Sequence, residues 1–426
     1  MSFSRLVNDI KTMLDTAEPP STYDCCIYKV PSDIRTLNEN AYTPKFVSIG
    51  PFHHGHPHPQ IQNMERQKLI YFKDFLQRTE TTLNEMVYYI DAILSDFKCC
   101  YSETLPFSHD ELVKLILIDS GFIIELFCRS YYDVRCINIL SIPWLYVGIR
   151  SDLMLLENQL PYFVIEKIYS LSLSSTNASV PNTNIPSFLK LTTDYFDYYN
   201  KSKLDFDKGD ISIRHFTDLI RIFHLQHPIE NRPSRDNINK QIIHLPSATE
   251  LLEAGVRFKV NTESKCLLDL RFSGGVLEIP QLIAHDGTEI MFRNMVALEQ
   301  CRYPYESYIT DYVAVLDYLI NTGKDVDILV QNKILENMLG DSDSVANLFN
   351  GLSKYVIHSN ISLQFSILCK DLNAFCGNPW RQLMLTLKLK STLMRDYCST
   401  PWQAAASFAG ILLLVLTLIQ TVCSCK

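Results

Sequence analysis

Glycine and proline are sparse in this sequence of 426 residues, with 14 and 19 copies, and the strings typical of catalytic sites are missing. The low glycine and proline content excludes collagen-like and low-complexity chains. The net charge of −8 provides no general footprint for nucleic acid or anionic lipid, so we expect no nucleic-acid partner. The chain has no nucleophile elbow, phosphate-binding loop, dinucleotide-binding turn, zinc-protease helix or Cys-x-x-Cys pair. We therefore predict neither an enzyme nor a bound cofactor.

Core-forming residues are plentiful. Hydrophobic residues make up 47% of the chain and charged residues 20%, with 22 Phe and 22 Tyr, which is typical of a globular protein. The length favours one large domain or two fused subdomains. The 13 cysteines are odd in number and scattered, so we expect buried free thiols rather than a disulfide framework.

The first 22 residues predict a short amphipathic helix. They lack the continuous apolar stretch of a signal peptide. Apolar residues recur at three- and four-residue spacing, and two prolines at 19 and 20 end the pattern; these apolar residues are Phe3, Leu6, Val7, Ile10 and Leu14. We expect this helix to dock on the main body; the alternative is a helix that binds a partner or a membrane surface.

Residues 23–400 predict one α+β domain that is predominantly α-helical. In the helix that follows residue 62, Leu69 is expected on the inner face and Lys68 on the outer face. The apolar stretch 110–132 should form the central helix. Ser247 and Glu250 form a capping box at the start of a helix. The alternation of residues 268–272 before two glycines predicts a β-hairpin near 266–285.

Two polar stretches of this domain are candidate contact surfaces. Residues 172–212 are rich first in serine, threonine and asparagine, and then in acidic and aromatic residues, which predicts an exposed insertion. Residues 228–246 predict a polar loop. Tyrosine is favoured at protein interfaces, so the insertion is the better candidate for binding a partner.

The end of the chain predicts a single transmembrane helix over residues 401–423. No charged residue occurs from 404 to 425, and about 20 apolar residues are enough to span a bilayer. The upstream basic residues Lys388, Lys390 and Arg395 then place the bulk of a tail-anchored, single-pass protein in the cytosol. Three glycosylation sequons, at residues 177, 200 and 360, favour the opposite orientation weakly.

Four histidines occur within residues 48–60, in the stretch SIGPFHHGHPHPQ. His54, His56 and His58 are weak candidates for a metal site, because an extended strand could point all three to one side. No nearby cysteine or carboxylate completes a ligand set. We therefore predict a packed turn with partly solvated histidines and no specific metal site.

Carboxylates within apolar stretches leave a second function open. Asp119 and Glu125 are six residues apart and so are poorly aligned on one helical face, which favours structural salt bridges over a catalytic pair. The alternative is an enzyme whose site assembles from distant residues, such as Asp119, Glu125 or Glu157 with a histidine.

Ordered sequence blocks carry a resemblance to a known family. They include VPSDIRTLNENAYTPKFVSIGPFHHG, SDLMLLENQLPYFVIEKIY, LDLRFSGGVLEIPQL and PWQAAASFAGILLLVLTLIQTV. Together they resemble the plant family called domain of unknown function 247, from about residue 25 to 422. The resemblance implies a plant protein with a C-terminal membrane segment and no established enzymatic activity. Some members in grasses are associated with pollen self-incompatibility, and the family supplies no catalytic residues to carry over.

These observations favour a membrane-anchored interaction or recognition protein with an unknown protein partner. The alternatives are the assembled enzyme site and a structural scaffold.

Overall fold

The computed structural model describes residues 3–15, 25–79, 81–134, 139–173, 185–204, 212–226, 232, 244–358, 361–378, 413 and 417. Helices dominate these residues. In chain order they are α1 (Phe3–Asp15), α2 (Ser32–Arg35), α3 (Pro59–Arg78), α4 (Leu83–Cys99), α5 (His109–Tyr131), α6 (Pro143–Asp152), α7 (Tyr162–Leu173), α8 (Phe188–Tyr195), α9 (Phe216–His224), α10 (Ala248–Glu253), α11 (Asp286–Arg302), α12 (Tyr308–Leu319), α13 (Gly323–Gln331), α14 (Ser342–Leu352) and α15 (Leu363–Cys376).

Two small sheets accompany the helices. The strands are β1 (Arg257–Val260), β2 (Arg271–Ser273), β3 (Val276–Ile279), β4 (Leu282–Ala284) and β5 (Leu335–Asn337). Strand β3 lies between β1, which runs parallel to it, and β2, which runs antiparallel. Strands β4 and β5 form a separate parallel pair. The predominantly helical architecture with a small β element therefore matches the sequence prediction.

The hairpin between β2 and β3 turns at Gly274 and Gly275, whose φ angles are +58° and +79°. Two consecutive residues with positive φ are what a type I′ hairpin turn requires. The pairing of β1 in parallel to β3 was not predicted, because no local pattern relates strands that a long connection separates.

Helix α5 is the centre of the helical core. It begins with a capping box in which Ser108 and Glu111 satisfy each other's backbone N–H groups. Helices α3, α4, α7 and α8 pack around it. Its side chains are buried over most of its length, as the apolar stretch predicts.

The inner face of α3 differs from the prediction. Lys68 was expected outside, but only 1% of it is exposed, whereas Leu69, expected inside, is 53% exposed. The residues of the inner face are Ile61, Met64, Lys68, Tyr71 and Phe75. The helix takes this orientation because Lys68 pairs with the buried carboxylate of Asp119. The spacing of apolar residues along the helix does not reveal such a partner.

Part of the predicted insertion 172–212 lies in the core. Helix α8 packs on α5, and the Tyr195 ring stacks on Phe127 with a centroid distance of 4.4 Å. Of the aromatic residues that suggested an interface, most of those described are core residues, and Tyr198 is the exposed one among those described. Residues 174–184 and 205–211, and most of 228–246, lie outside the described residues.

The N-terminal helix is present as α1, but its apolar face is uncovered. Phe3 is 88% exposed, and the other apolar side chains of the helix are also exposed. Within the described part of the chain, the expected docking of this face on the main body is therefore not observed.

The prediction of a transmembrane helix over 401–423 is corrected by the structure. Across the described ranges, no helix has both the length and the apolar character needed to cross a membrane. The longest of them, α5, has 23 residues, but it carries acidic and basic side chains and belongs to the core. Of residues 401–423, only Leu413 and Thr417 are described. The predicted membrane partner and the single-pass, tail-anchored localisation with a cytosolic bulk domain rested on this helix and are withdrawn with it.

Candidate functional site

Buried side chains bind the backbone of the SIGPF stretch. The Asp119 carboxylate accepts the Gly50 N–H at 2.8 Å and the Lys68 ammonium at 2.5 Å, and Lys68 also donates to Ser48 O at 2.9 Å. Because an unpaired buried charge is costly, this ion pair stabilises the path of the chain from Ser48 to Gly50. Asp119 is therefore one half of a buried ion pair.

Asp152 binds the residues just before this stretch. Its carboxylate accepts the backbone N–H groups of Lys45, Phe46 and Val47, at distances between 2.6 and 3.2 Å. Burial raises the pKa of this carboxyl to about 7, although the backbone donors lower it. Asn158 continues the pattern by accepting the Ile49 N–H at 2.7 Å.

Glu157 is the one predicted carboxylate that the structure brings to a histidine. Its Oε2 accepts from His53 Nε2 at 3.1 Å and lies 3.3 Å from Arg35, while its Oε1 accepts the Val30 N–H at 2.9 Å. Glu125 is bound by Arg78 and Arg129 instead. Both oxygens of Glu157 accept hydrogen bonds, so this carboxylate connects Val30, Arg35 and His53.

The three candidate metal ligands do not converge. His58 caps α3 by accepting the Gln60 N–H on Nδ1 at 3.3 Å, and His56 Nδ1 accepts the His58 N–H at 3.3 Å. The ring of His54 packs on Phe107. Throughout the described part of the chain, no group of three His, Cys, Asp or Glu residues is placed to hold a metal ion.

A cleft of about 740 Å³ lies elsewhere in the fold. Its walls are the turn of residues 197–203 after α8, the end of α9, the segment 260–267 after β1, strand β4 and the start of α11. Its apolar lining, here called the floor, consists of the side chains of Phe223, Val260, Leu267, Leu282, Ile283 and Met291. Volume and lining are those of a site for a bound molecule.

Two histidines of the cleft have defined tautomers. His224 Nδ1 lies 2.8 Å from Ile220 O, and since a carbonyl only accepts, Nδ1 carries the proton and Nε2 is an acceptor. His285 Nδ1 accepts the Gly287 N–H, so its protonated Nε2 donates to the Tyr198 hydroxyl at 3.2 Å. Burial lowers the pKa of both imidazoles, and the charge of Lys201 lowers it further, so both are neutral at pH 7.

The mouth of the cleft is positively charged. Lys203 pairs with Asp197, which is the only carboxylate among the described lining residues. Lys201 and Lys265 form no ion pair within the described ranges, and both are exposed. Among the described residues, these two positive charges therefore have no ion-pair partner.

A cluster of one arginine and three tyrosines, here called the rim, adjoins the cleft. It consists of Arg150, Tyr146, Tyr198 and Tyr199. The guanidinium lies 5.4, 5.1 and 6.0 Å from the centroids of the three rings, and Lys201 Nζ is 4.5 Å from that of Tyr198. These are cation–π distances, so the rim is held in place before any partner binds.

Sequence reasoning missed this cleft. Its walls come from five separated segments, and the histidines that line it, His224 and His285, stand alone in the sequence. The sequence feature that could have indicated it is the string DYYNKSK at 197–203, which combines two tyrosines with two lysines.

Comparison with known proteins identifies relatives along almost the whole chain. A family model described as plant protein of unknown function (DUF247) matches residues 27–416. A UPF0481 protein of Arabidopsis thaliana is 28% identical over 421 residues, which cover 93% of this chain and 85% of that protein. A putative UPF0481 protein of the same plant is 23% identical, covering 92% and 89% of the two chains. No solved structure matches.

Proposed function

We propose that this chain, which belongs to the DUF247 family of plant proteins of unknown function, is a protein-recognition module without catalytic activity of its own. The observation that supports this proposal is the rim. Tyrosine and arginine are enriched among the residues that contribute most to protein binding. Side chains that are already ordered lose little entropy when a partner binds.

The positive charges in the rim and beside it indicate the chemistry of the partner. Arg150 and Lys201 place two cations around the Tyr198 ring, on a chain whose net charge is −8. A local positive surface favours an acidic segment of the partner. We therefore propose an acidic protein segment as the ligand of the rim.

The arrangement of the acid–base groups favours binding over chemistry. The carboxylate in the cleft, Asp197, is held by Lys203, and no carboxylate of the described residues orients either imidazole of the cleft as a general base requires. The one histidine–carboxylate pair among the predicted candidates, His53 with Glu157, does not line the cleft. The assembled enzyme site is therefore the weaker proposal.

Site-specific photocrosslinking tests the recognition proposal. A photoreactive benzoylphenylalanine at Ser202, beside the rim, should form a discrete adduct with a partner in plant extract. The adduct should be lost when Tyr198→Ala or Arg150→Ala is added, and should weaken as salt rises. The matched control carries the probe at Tyr88 on α4, a position that is 77% exposed and outside the cleft. Equal adducts at both positions, or adducts that survive both rim substitutions, would contradict the proposal.

A further inference from the structure

The floor of the cleft has the size and lining of a small-molecule site. Its volume of about 740 Å³ falls within the range of roughly 300–1,000 Å³ that is usual for such sites. Phe223 and Leu282 are buried, and Val260 and Met291 are half-buried beside them. An apolar floor of this kind takes the apolar body of a ligand and excludes water from it.

Two polar atoms lining the cleft can bond a ligand: one accepts a hydrogen bond and the other donates one. His224 is 7% exposed, and its Nε2 is an unprotonated acceptor because Nδ1 donates to Ile220 O. Since His224 lines the cleft, a donor on a ligand can form a hydrogen bond with this nitrogen. The Tyr198 hydroxyl accepts from His285, so its own hydrogen remains available to an acceptor on the ligand.

The lysines at the mouth of the cleft favour a negative group on the ligand. Lys201 and Lys265 both line the cleft, and the charge of Lys201 reaches both histidines, as its effect on their pKa values indicates. A carboxylate placed between the two ammonium groups would form charge-assisted hydrogen bonds. The same carboxylate could accept the hydrogen of the Tyr198 hydroxyl.

We infer that the cleft binds a small organic acid that combines an apolar ring body, a carboxylate and a hydroxyl group. The ring body lies on the apolar floor, the carboxylate lies between Lys201 and Lys265, and the hydroxyl donates to His224 Nε2. This inference goes beyond the proposed function and does not rest on it, because the floor, His224 and Lys265 are not part of the rim.

Three naphthalene probes test the inference by isothermal titration calorimetry on the full chain. 6-Hydroxy-2-naphthoate carries all three features, 2-naphthoate lacks the hydroxyl, and 2-naphthol lacks the carboxylate. We expect one saturable site for 6-hydroxy-2-naphthoate. 2-Naphthoate should bind about tenfold more weakly, the factor that one lost hydrogen bond of ordinary strength produces. 2-Naphthol should bind more weakly still, because it loses the charge-assisted hydrogen bonds to the lysines. Absence of saturable binding, or equal affinity for all three, would overturn the inference.

Substitutions locate the binding to the cleft. Met291→Trp should fill the floor and abolish binding of 6-hydroxy-2-naphthoate, and Lys201→Met with Lys265→Met should remove its preference over 2-naphthol. The matched control is Lys324→Met, at an exposed lysine of α13 outside the cleft, which should bind as the unaltered chain does. Thermal unfolding of each variant would confirm that it is folded. Unchanged binding by a folded Met291→Trp variant would refute the assignment, whatever the crosslinking at Ser202 shows.

Discussion

Replacement of Lys68 by methionine should remove much of the stability of this fold, because Lys68 neutralises a buried carboxylate. Its Nζ lies 2.5 Å from Asp119 Oδ1, and each of the two residues is 1% exposed. Without Lys68, the Asp119 charge is left with the Gly50 N–H, and Ser48 O loses its donor. Removing one partner of a buried ion pair costs about 3–5 kcal/mol. Since domains are stable by about 5–15 kcal/mol, a large fraction of the free energy of unfolding should disappear.

Urea unfolding followed by far-ultraviolet circular dichroism would measure this loss for Lys68→Met, Asp119→Leu and the double variant. The double variant removes both charges, so it should lose less free energy of unfolding than the sum of the single variants, by at least about 1 kcal/mol. The matched control is Lys73→Met on the exposed face of the same helix, which should stay within about 0.5 kcal/mol of the unaltered chain. A loss below about 1 kcal/mol for Lys68→Met, or strict additivity in the double variant, would refute the reasoning.

Two further predictions concern the backbone and the pH dependence of stability. Gly50→Ala should destabilise by about 2 kcal/mol or more in urea titrations, because φ is +73° and the added Cβ would lie 2.3 Å from Gln159 O. Gly55→Ala, with φ of +76° and open space around it, should lose only about 1 kcal/mol, and equal losses would contradict the role of the close approach. Burial lowers the pKa of His215 from 6.5 to about 4, so the unfolded chain binds the proton first. Stability should therefore fall by up to about 3 kcal/mol as the pH drops from 6.5 to 4. His215→Asn should flatten that part of the pH profile of the urea midpoint, and an unchanged slope would exclude His215 as its source.

Local features of the fold could be predicted because their causes lie within a few residues of each other. Ser247 and Glu250 form the predicted capping box of α10, and Gly255, with φ of +84°, follows the end of that helix. The hairpin turn at Gly274 and Gly275 likewise depends on the residues that make it. The candidate site could not be found in this way, because His224 and His285 gain a shared cleft only when α9 and α11 pack near each other.

The burial predicted from the hydrophobic pattern was wrong where distant residues cover a side chain. Lys68 reads as a solvated lysine on α3, and its burial depends on Asp119, which is 51 residues further along the chain. The aromatic residues of 188–196 read as an exposed insertion, but Phe127 on α5 supplies the surface that covers them. In both cases the missing information was the identity of a distant neighbour.

The sequence by itself determined the family, the helical class, the capping box of α10 and the hairpin turn, since ordered blocks and short-range hydrogen bonds specify these directly. Tertiary structure alone decided which polar residues are buried, whether the apolar face of α1 is covered, and how five segments enclose the cleft. The physical reason is how far apart along the chain the interacting residues lie. A cap or a turn is stabilised by atoms a few residues apart, whereas burial, ion pairing and cleft formation depend on which distant surfaces pack together.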